Sequence, residues 1–157
     1  MELDATALLP DGFELQSGLG ITRSTWTNIP FIDPQTNQTI NLDGRTAPFT
    51  PIYSGSLGLD WNHAVGGGYL VGGRVAATYV GRSYWDPQDS AYQSAYQLLN
   101  LGAWIQNGPW SVEASLKNAT GTRFYTMYWS NWDTGAPINF ANMNPPRWFT
   151  VTATVHF

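Results

Sequence analysis

The 157-residue sequence contains no cysteine, which excludes disulfide bonds, thiolate nucleophiles and zinc–thiolate sites. Charged residues are also scarce, because they make up 11% of the chain where a soluble globular domain has about 25%. The net charge of −4 argues against a nucleic-acid-binding protein, which needs a basic patch. No apolar run reaches the length of about 18 residues that a transmembrane helix requires.

Aromatic residues, by contrast, make up 15% of the chain, with eight Trp and eight Tyr. This content is too high for an intrinsically disordered chain. The sequence has neither a Gly-x-Ser-x-Gly elbow nor a phosphate-binding loop that ends in Gly-Lys-Ser/Thr. Its two histidines, His63 and His156, are not at metal-ligand spacing from each other. The sequence therefore predicts a protein that is not an enzyme and that has no cofactor or metal site.

Apolar and polar residues alternate with a period of two in seven segments, which is typical of β-strands whose two faces differ. Each segment is close to the 9–11 residues, roughly, that a tilted membrane-crossing strand needs. In the last segment the apolar positions alternate with three threonines and a histidine. The segments are 3–9, 13–22, 53–61, 69–79, 99–106, 110–117 and 149–157.

The connections between these segments alternate strictly between short and long. Short turns are predicted at 10–12, 62–68 and 107–109, where Gly, Pro, Asn and Asp accumulate. The long connections cover approximately 23–48, 81–97 and 124–146. This is the pattern of an outer-membrane barrel with short periplasmic turns and long extracellular loops. The predicted fold is all-β, an antiparallel transmembrane β-barrel portion of about seven strands.

The alternation also predicts which side chains meet lipid. Glu113 and Lys117 are expected to face the barrel lumen, because a charge in the hydrocarbon layer is costly. Asp4 and Glu14 are expected to face each other on the same side, across the first hairpin. The expected lipid contacts of the fifth segment are Leu99, Leu101, Ala103 and Ile105.

Aromatic residues near the ends of the predicted strands indicate interfacial girdles. A soluble β-sandwich would also alternate apolar and polar residues, but it would not normally combine low charge with aromatic residues at strand ends. The girdle candidates are Tyr53, Trp61, Tyr69, Tyr79, Trp110, Trp148 and Phe157.

Three sequence stretches, taken together in their order and spacing, extend over most of the chain. They are Gly-Arg-Thr-Ala-Pro-Phe-Thr-Pro at 44–51 before Ser-Leu-Gly-Leu-Asp-Trp at 56–61, Glu-Ala-Ser-Leu-Lys-Asn-Ala-Thr at 113–120 before Phe124-Tyr125, and Pro-Pro-Arg-Trp-Phe at 145–149 running to Phe157. In this order they resemble the late-barrel segments of TonB-dependent receptors. The resemblance covers 1–157 as the C-terminal part of such a barrel, with the plug domain, the TonB box and the signal peptide absent.

The resemblance implies a receptor in the bacterial outer membrane that imports a scarce nutrient, namely a siderophore, cobalamin or a carbohydrate. Such receptors form a barrel of about 22 strands around a plug. The implied partners are outer-membrane lipid, the rest of the barrel and its plug, the TonB complex reached through the missing N-terminal part, and a small-molecule ligand. Phe157, a terminal aromatic residue on an alternating strand, resembles the signal read by the barrel-assembly machinery.

The long connections contain the candidate ligand-binding residues. Aromatic side chains accumulate there beside Asp and Asn, and exposed aromatic clusters offer flat apolar surfaces with polar groups at their edges. A sugar or an aromatic siderophore would stack on such a surface. The candidates are Tyr84, Trp85, Tyr125, Tyr128, Trp129 and Trp132.

Seven strands do not close a bacterial barrel, which has an even strand number and no free edges in lipid. We therefore expect either a fragment of a larger barrel or a chain that needs another chain to complete it. Two alternatives remain open at this stage. One is a small stand-alone outer-membrane barrel, and the other is a soluble ligand-binding β-barrel with aromatic side chains in an inner pocket.

Overall fold

The computed structural model describes residues 1–34, 36–129 and 138–157, and β-strands dominate them. Single turns of 3-10 helix at Pro10–Gly12 and Gly66–Gly68 connect two pairs of long strands. In chain order the strands are β1 (Glu2–Leu9), β2 (Phe13–Ile21), β3 (Pro30–Ile32), β4 (Thr39–Asn41), β5 (Tyr53–Val65), β6 (Tyr69–Val80), β7 (Ser83–Tyr84), β8 (Tyr92–Gln93), β9 (Tyr96–Asn107), β10 (Trp110–Lys117), β11 (Tyr125–Trp129), β12 (Phe140–Met143) and β13 (Trp148–Val155).

Seven long strands form one antiparallel sheet in the order β1-β2-β5-β6-β9-β10-β13. Each of them pairs with the next long strand along the chain, so the sheet is an up-and-down meander. The six short strands form three separate hairpins inside the long connections: β3 with β4, β7 with β8, and β11 with β12. The predicted fold class and the seven predicted strands are confirmed.

The largest difference from the sequence prediction is the length of β5. Its pairing with β6 continues through His63 and Val71 to Val65 and Tyr69, so the predicted turn at 62–68 shrinks to the three glycines. Gly67 has a φ of 78°, a conformation that glycine adopts without steric cost. The three glycines therefore suffice to reverse the chain.

The strand register separates the side chains of the sheet into two unlike faces. All charged residues of the seven strands, every one of which lies in the described part of the chain, belong to one face, here called the ionic face. The opposite face, here called the apolar face, carries Leu101 between Val75 and Leu116. The charged residues of the ionic face are Glu2, Asp4, Glu14, Asp60, Arg74, Glu113 and Lys117.

Two expected side-chain positions are wrong in detail. Asp4 lies opposite Gly18, whereas Glu14 lies opposite Leu8, so the two acids share a face but lie about 13 Å apart along the hairpin. Trp148 pairs with Lys117 and therefore belongs to the ionic face, not to a girdle on the apolar face. The sequence pattern indicated a strand end there, but Trp148 is adjacent to Phe149 of the apolar face, and adjacent residues of a strand point to opposite faces.

The described residues contain almost no buried apolar core. Leu42 and Trp85 are the buried large apolar side chains among them, and both lie outside the long strands. On the apolar face, by contrast, Leu19, Leu57 and Val151 are each more than half exposed, at 61%, 53% and 57%. A contiguous apolar surface of this kind needs a lipid or protein partner. No helix in the described part of the chain has the length and apolar character needed to cross a membrane.

Candidate functional site

The three long connections leave the sheet at the same end, here called the loop end. Loop L1 covers residues 22–52, loop L2 covers 81–95 and loop L3 covers 118–147. The short connections lie at the other end, here called the turn end. Because antiparallel strands alternate in direction, residues far apart in sequence meet at the loop end.

Asp86 fixes the conformation of loop L2. Its side chain is fully buried, and its two oxygens accept four hydrogen bonds. Oδ1 accepts from the backbone amides of Gln88 at 2.8 Å and Ser90 at 3.0 Å. Oδ2 accepts from the Ser90 hydroxyl and the Ala91 amide, both at 2.7 Å. A buried carboxylate with this many donors is well satisfied, so Asp86 holds L2 in one shape.

Four aromatic side chains from all three loops form a connected set, here called the aromatic cluster. Trp85 is its centre: its ring lies 5.6 Å from that of Phe49 in an edge-on contact and 6.4 Å from that of Tyr128. Tyr128 in turn lies 6.0 Å from Tyr125. Trp85 is only 8% exposed, whereas Tyr125 is 43% exposed. The buried tryptophan therefore supports a more exposed aromatic surface.

Hydrogen bonds join the loops around this cluster. The Phe49 amide of L1 donates to the carbonyl of Tyr84 in L2 at 2.8 Å, and the Arg45 guanidinium donates to the carbonyl of Gln88. The Tyr125 amide of L3 donates to the buried side chain of Gln93 in L2 at 2.8 Å. L2 thus binds both of its neighbours, and the three loops form one unit.

Two asparagines hold the base of L3. Asn118 accepts from the Thr122 amide at 2.9 Å and donates to the Thr122 carbonyl at the same distance. Asn144 accepts from the Phe124 amide at 2.9 Å and donates to the Pro145 carbonyl at 3.0 Å. Both side chains are buried. These contacts fix where the β11–β12 hairpin leaves the sheet.

The structure brings together three of the six candidate residues from the sequence, namely Trp85, Tyr125 and Tyr128. Tyr84 belongs to a separate pair with Tyr92, in which the rings are 6.3 Å apart. Trp129 is 40% exposed at the end of β11, and Trp132 lies outside the described residues.

Phe49 and Gln93 are contacts that the sequence prediction missed. Phe49 belongs to the stretch 44–51 that resembles the receptor barrels, which does not indicate a ring contact with Trp85. No sequence pattern pairs Gln93 with a backbone amide 32 residues later. At the turn end, Phe157 follows β13 and is exposed.

A ladder of polar contacts runs across the ionic face. Gln16 donates to Glu14 at 2.7 Å and accepts from Arg74 at 3.4 Å, and Arg74 also lies 3.4 Å from Asp60. Nearer the turn end, the Trp104 indole donates to Asn62 at 3.1 Å. The described residues contain no group of three or more His, Cys, Asp or Glu that could hold a metal ion. The ionic face therefore offers a row of hydrogen-bonding groups.

The structure is similar to solved outer-membrane receptors. The ferric yersiniabactin uptake receptor FyuA from Yersinia pestis superposes with a TM-score of 0.83 at 20% identity, over 99% of this chain and 23% of that chain. The ferric preacinetobactin receptor BauA from Acinetobacter baumannii gives a TM-score of 0.73 at 16% identity, over 97% of this chain and 21% of that chain. The ferric-catecholate import receptor Fiu from E. coli K12 gives 0.69 at 16% identity, over 99% and 20%.

These neighbours are TonB-dependent siderophore receptors, so the chain has the fold of part of such a receptor barrel. They are transport receptors and not enzymes. The chain spans about a fifth of the length of the receptors that it matches. No protein-family model matches the sequence, and no curated protein matches it.

Proposed function

We propose that the chain is part of the barrel of a TonB-dependent receptor in the bacterial outer membrane, and that this receptor imports a ferric siderophore. The single observation that carries the proposal is the division of the sheet into an apolar and an ionic face in a fold shared with receptor barrels. The apolar face meets lipid and the ionic face lines the lumen. The rest of the barrel, the plug and the TonB box come from other parts of the receptor.

The height of the apolar face supports a membrane location. On β6, Tyr69 near the turn end and Tyr79 near the loop end both lie on the apolar face. Ten residues at about 3.3 Å each, tilted by about 40°, span about 25 Å, which is the height of the apolar band of an outer-membrane barrel. The two tyrosines would then lie at the two membrane interfaces, with Trp110 beside Tyr69 at the periplasmic side.

The loop end is then extracellular and carries the ligand contacts. Within the aromatic cluster, Tyr125 and Tyr128 would stack on an aromatic or conjugated siderophore, while Trp85 holds them in place from below. Trp129, on the same hairpin, would extend this surface. A siderophore is favoured over cobalamin or a carbohydrate because the solved neighbours are siderophore receptors.

An uptake assay tests the ligand class. Cells that depend on the full-length receptor would be given a panel of radio-iron siderophores, with vitamin B12 and maltodextrins as non-siderophore ligands. We expect energy-dependent uptake of one siderophore class. The variant Tyr125→Ala/Tyr128→Ala should lose about tenfold or more in binding of that siderophore, because stacking contributes about 0.5–1.5 kcal/mol per aromatic ring.

Tyr79→Ala is the matched control, since it removes an exposed tyrosine of the apolar face and leaves the loops unchanged. Equal binding by the loop variant and by the parent receptor would contradict the assignment of the aromatic cluster. Uptake of vitamin B12 or a maltodextrin, without uptake of any siderophore, would contradict the proposal that the ligand is a siderophore.

A further inference from the structure

Phe49 of loop L1 has a backbone conformation that does not suit its side chain. Its φ is 61°, in the left-handed region where a Cβ atom crowds the following carbonyl group and costs free energy. Six non-glycine residues of the described chain have a positive φ, and Phe49 is the one among them that is neither Asp nor Asn. Asp and Asn tolerate this region because their short polar side chains form local hydrogen bonds. The other five residues are Asp11, Asn28, Asn37, Asp89 and Asn118.

The turn that contains Phe49 explains the conformation but not the residue. Pro48 and Phe49 are the two turn residues, and a turn with Pro first and a positive φ second usually has Gly or Asn at the second position. The Phe49 amide donates to the carbonyl of Tyr84 at 2.8 Å, a hydrogen bond that any residue except Pro could make. The contact between L1 and L2 therefore requires this backbone shape and not the phenyl ring.

Burial does not explain the phenyl ring either. The side chain is 59% exposed, although a phenylalanine gains free energy by leaving water. Its ring contacts the buried Trp85 edge-on at 5.6 Å, so it lies beside the centre of the aromatic cluster with more than half of its surface open. Trp85 also contacts Tyr128 of L3. The rings of Phe49 and Tyr128 are therefore at most about 12 Å apart, which lets one small-molecule ligand contact both.

Backbone strain that the fold does not require is typical of ligand sites. We propose that Phe49 is a further ligand-contact residue of the receptor, and that it selects siderophores that carry an aromatic ring. The phenyl ring has no hydrogen-bonding group, so it distinguishes ligands by the edge-to-face and offset ring contacts that an aryl group makes and an aliphatic hydroxamate does not. Tyr125 and Tyr128 contact the same ligand from L3. This inference rests on the proposed function, because it requires a siderophore at the loop end.

Substitutions of Phe49 in the full-length receptor separate the role of its ring from that of its backbone. Phe49→Asn removes the ring, suits the left-handed conformation and keeps the amide that donates to the Tyr84 carbonyl. Phe49→Tyr keeps both the ring and the strain. Ile32→Asn is the matched control, because Ile32 is 62% exposed and lies in the β3–β4 hairpin of the same loop.

Two measurements would be made on the purified receptor and its variants. The first is binding of the radio-iron complexes of a tricatecholate, a phenolate and an aliphatic trihydroxamate siderophore. The second is hydrogen exchange at the amide of residue 49, which reports whether L1 still binds L2.

We expect the parent receptor to bind the catecholate or the phenolate in preference to the hydroxamate. Phe49→Asn should weaken binding of that aryl siderophore about fivefold, whereas Phe49→Tyr and Ile32→Asn should bind it within about twofold of the parent. Exchange at residue 49 should change by less than about threefold in Phe49→Asn, because the relief of strain and the loss of the Trp85 contact are similar in size and opposite in sign.

Three results would overturn the inference and leave the proposed function intact. The parent receptor could prefer the hydroxamate, or Phe49→Asn could bind the aryl siderophore as tightly as the parent does. In the third result, exchange at residue 49 accelerates about tenfold in Phe49→Asn, which would show that the ring serves the fold of the loops. Absence of binding of all three siderophores by the parent receptor would instead contradict the proposed function.

Discussion

Asp60 on β5 and Arg74 on β6 are directly paired across the sheet, with 3.4 Å between Asp60 Oδ1 and Arg74 Nε. Arg74 is also 3.4 Å from Gln16, which donates to Glu14. Every member of this ladder lies on the ionic face. Charged residues are thus kept off the apolar face and neutralise each other in part where they meet.

A double-mutant cycle on Asp60→Asn and Arg74→Gln should give a small coupling energy. The Arg74 side chain is 49% exposed, and exposed ion pairs contribute less than about 1 kcal/mol. The measurement is chemical denaturation of the refolded receptor with each single variant and the double variant. A coupling of several kcal/mol would mean that this part of the ionic face is closed off from water.

Gly72 and Gly73 provide a test of the two faces at adjacent positions. A Cβ atom at Gly72 would lie 2.3 Å from the Trp104 ring, whereas one at Gly73 would meet its nearest atom, the Gly102 carbonyl oxygen, at 3.5 Å. Gly72→Ala should therefore displace the indole and break its hydrogen bond to Asn62. Gly73→Ala, on the apolar face, should be tolerated.

Tryptophan fluorescence and thermal unfolding would measure both glycine variants. We expect a shifted emission maximum and a loss of about 1–3 kcal/mol in Gly72→Ala, and almost no change in Gly73→Ala. Identical spectra for the two variants would show that Trp104 does not lie over Gly72.

Asp86→Ala should loosen loop L2 without affecting the assembly of the sheet. Removing a carboxylate that accepts four hydrogen bonds leaves buried amides unsatisfied, at a cost of about 1–3 kcal/mol. Hydrogen exchange at the amides of Gln88, Ser90 and Ala91 should accelerate by about tenfold or more. Asp43→Ala is the control, because Asp43 is exposed and accepts from the Asn28 amide in L1. Unchanged exchange in L2 would contradict the role of Asp86.

The sheet could be predicted from the sequence because its signal is local. Period-two alternation and glycine-rich turns located all seven long strands, and the charged residues of β1, β2, β5, β6 and β10 indicated the ionic face of those strands. Which residues face each other across a hairpin depends on its register, however, so Asp4 and Glu14, which do share a face, were wrongly expected opposite each other. Trp148 was counted with the girdle because it lies near a strand end, but it is adjacent to Phe149 of the apolar face and therefore points to the ionic face.

The loops were much less predictable. Their abundance of aromatic residues indicated a cluster, but the contact of Trp85 with Phe49 joins residues of two different loops. The hydrogen bonds that Gln93 accepts from the Tyr125 amide and that Asp86 accepts from four donor groups depend on backbone positions that no periodic pattern encodes. The candidate residues could be listed from the sequence, whereas their arrangement required the fold.

The central claim is that the apolar face meets lipid and the ionic face lines a lumen. Leu101→Arg and Ser115→Arg test it most directly, because both residues lie mid-strand and face opposite sides of the sheet. The measurement is the amount of full-length, protease-resistant receptor in purified outer membranes. An arginine in the middle of the hydrocarbon layer costs about 2–4 kcal/mol, so we expect Leu101→Arg to lose assembly and Ser115→Arg to retain it. Loss in Ser115→Arg with normal assembly of Leu101→Arg would contradict the account.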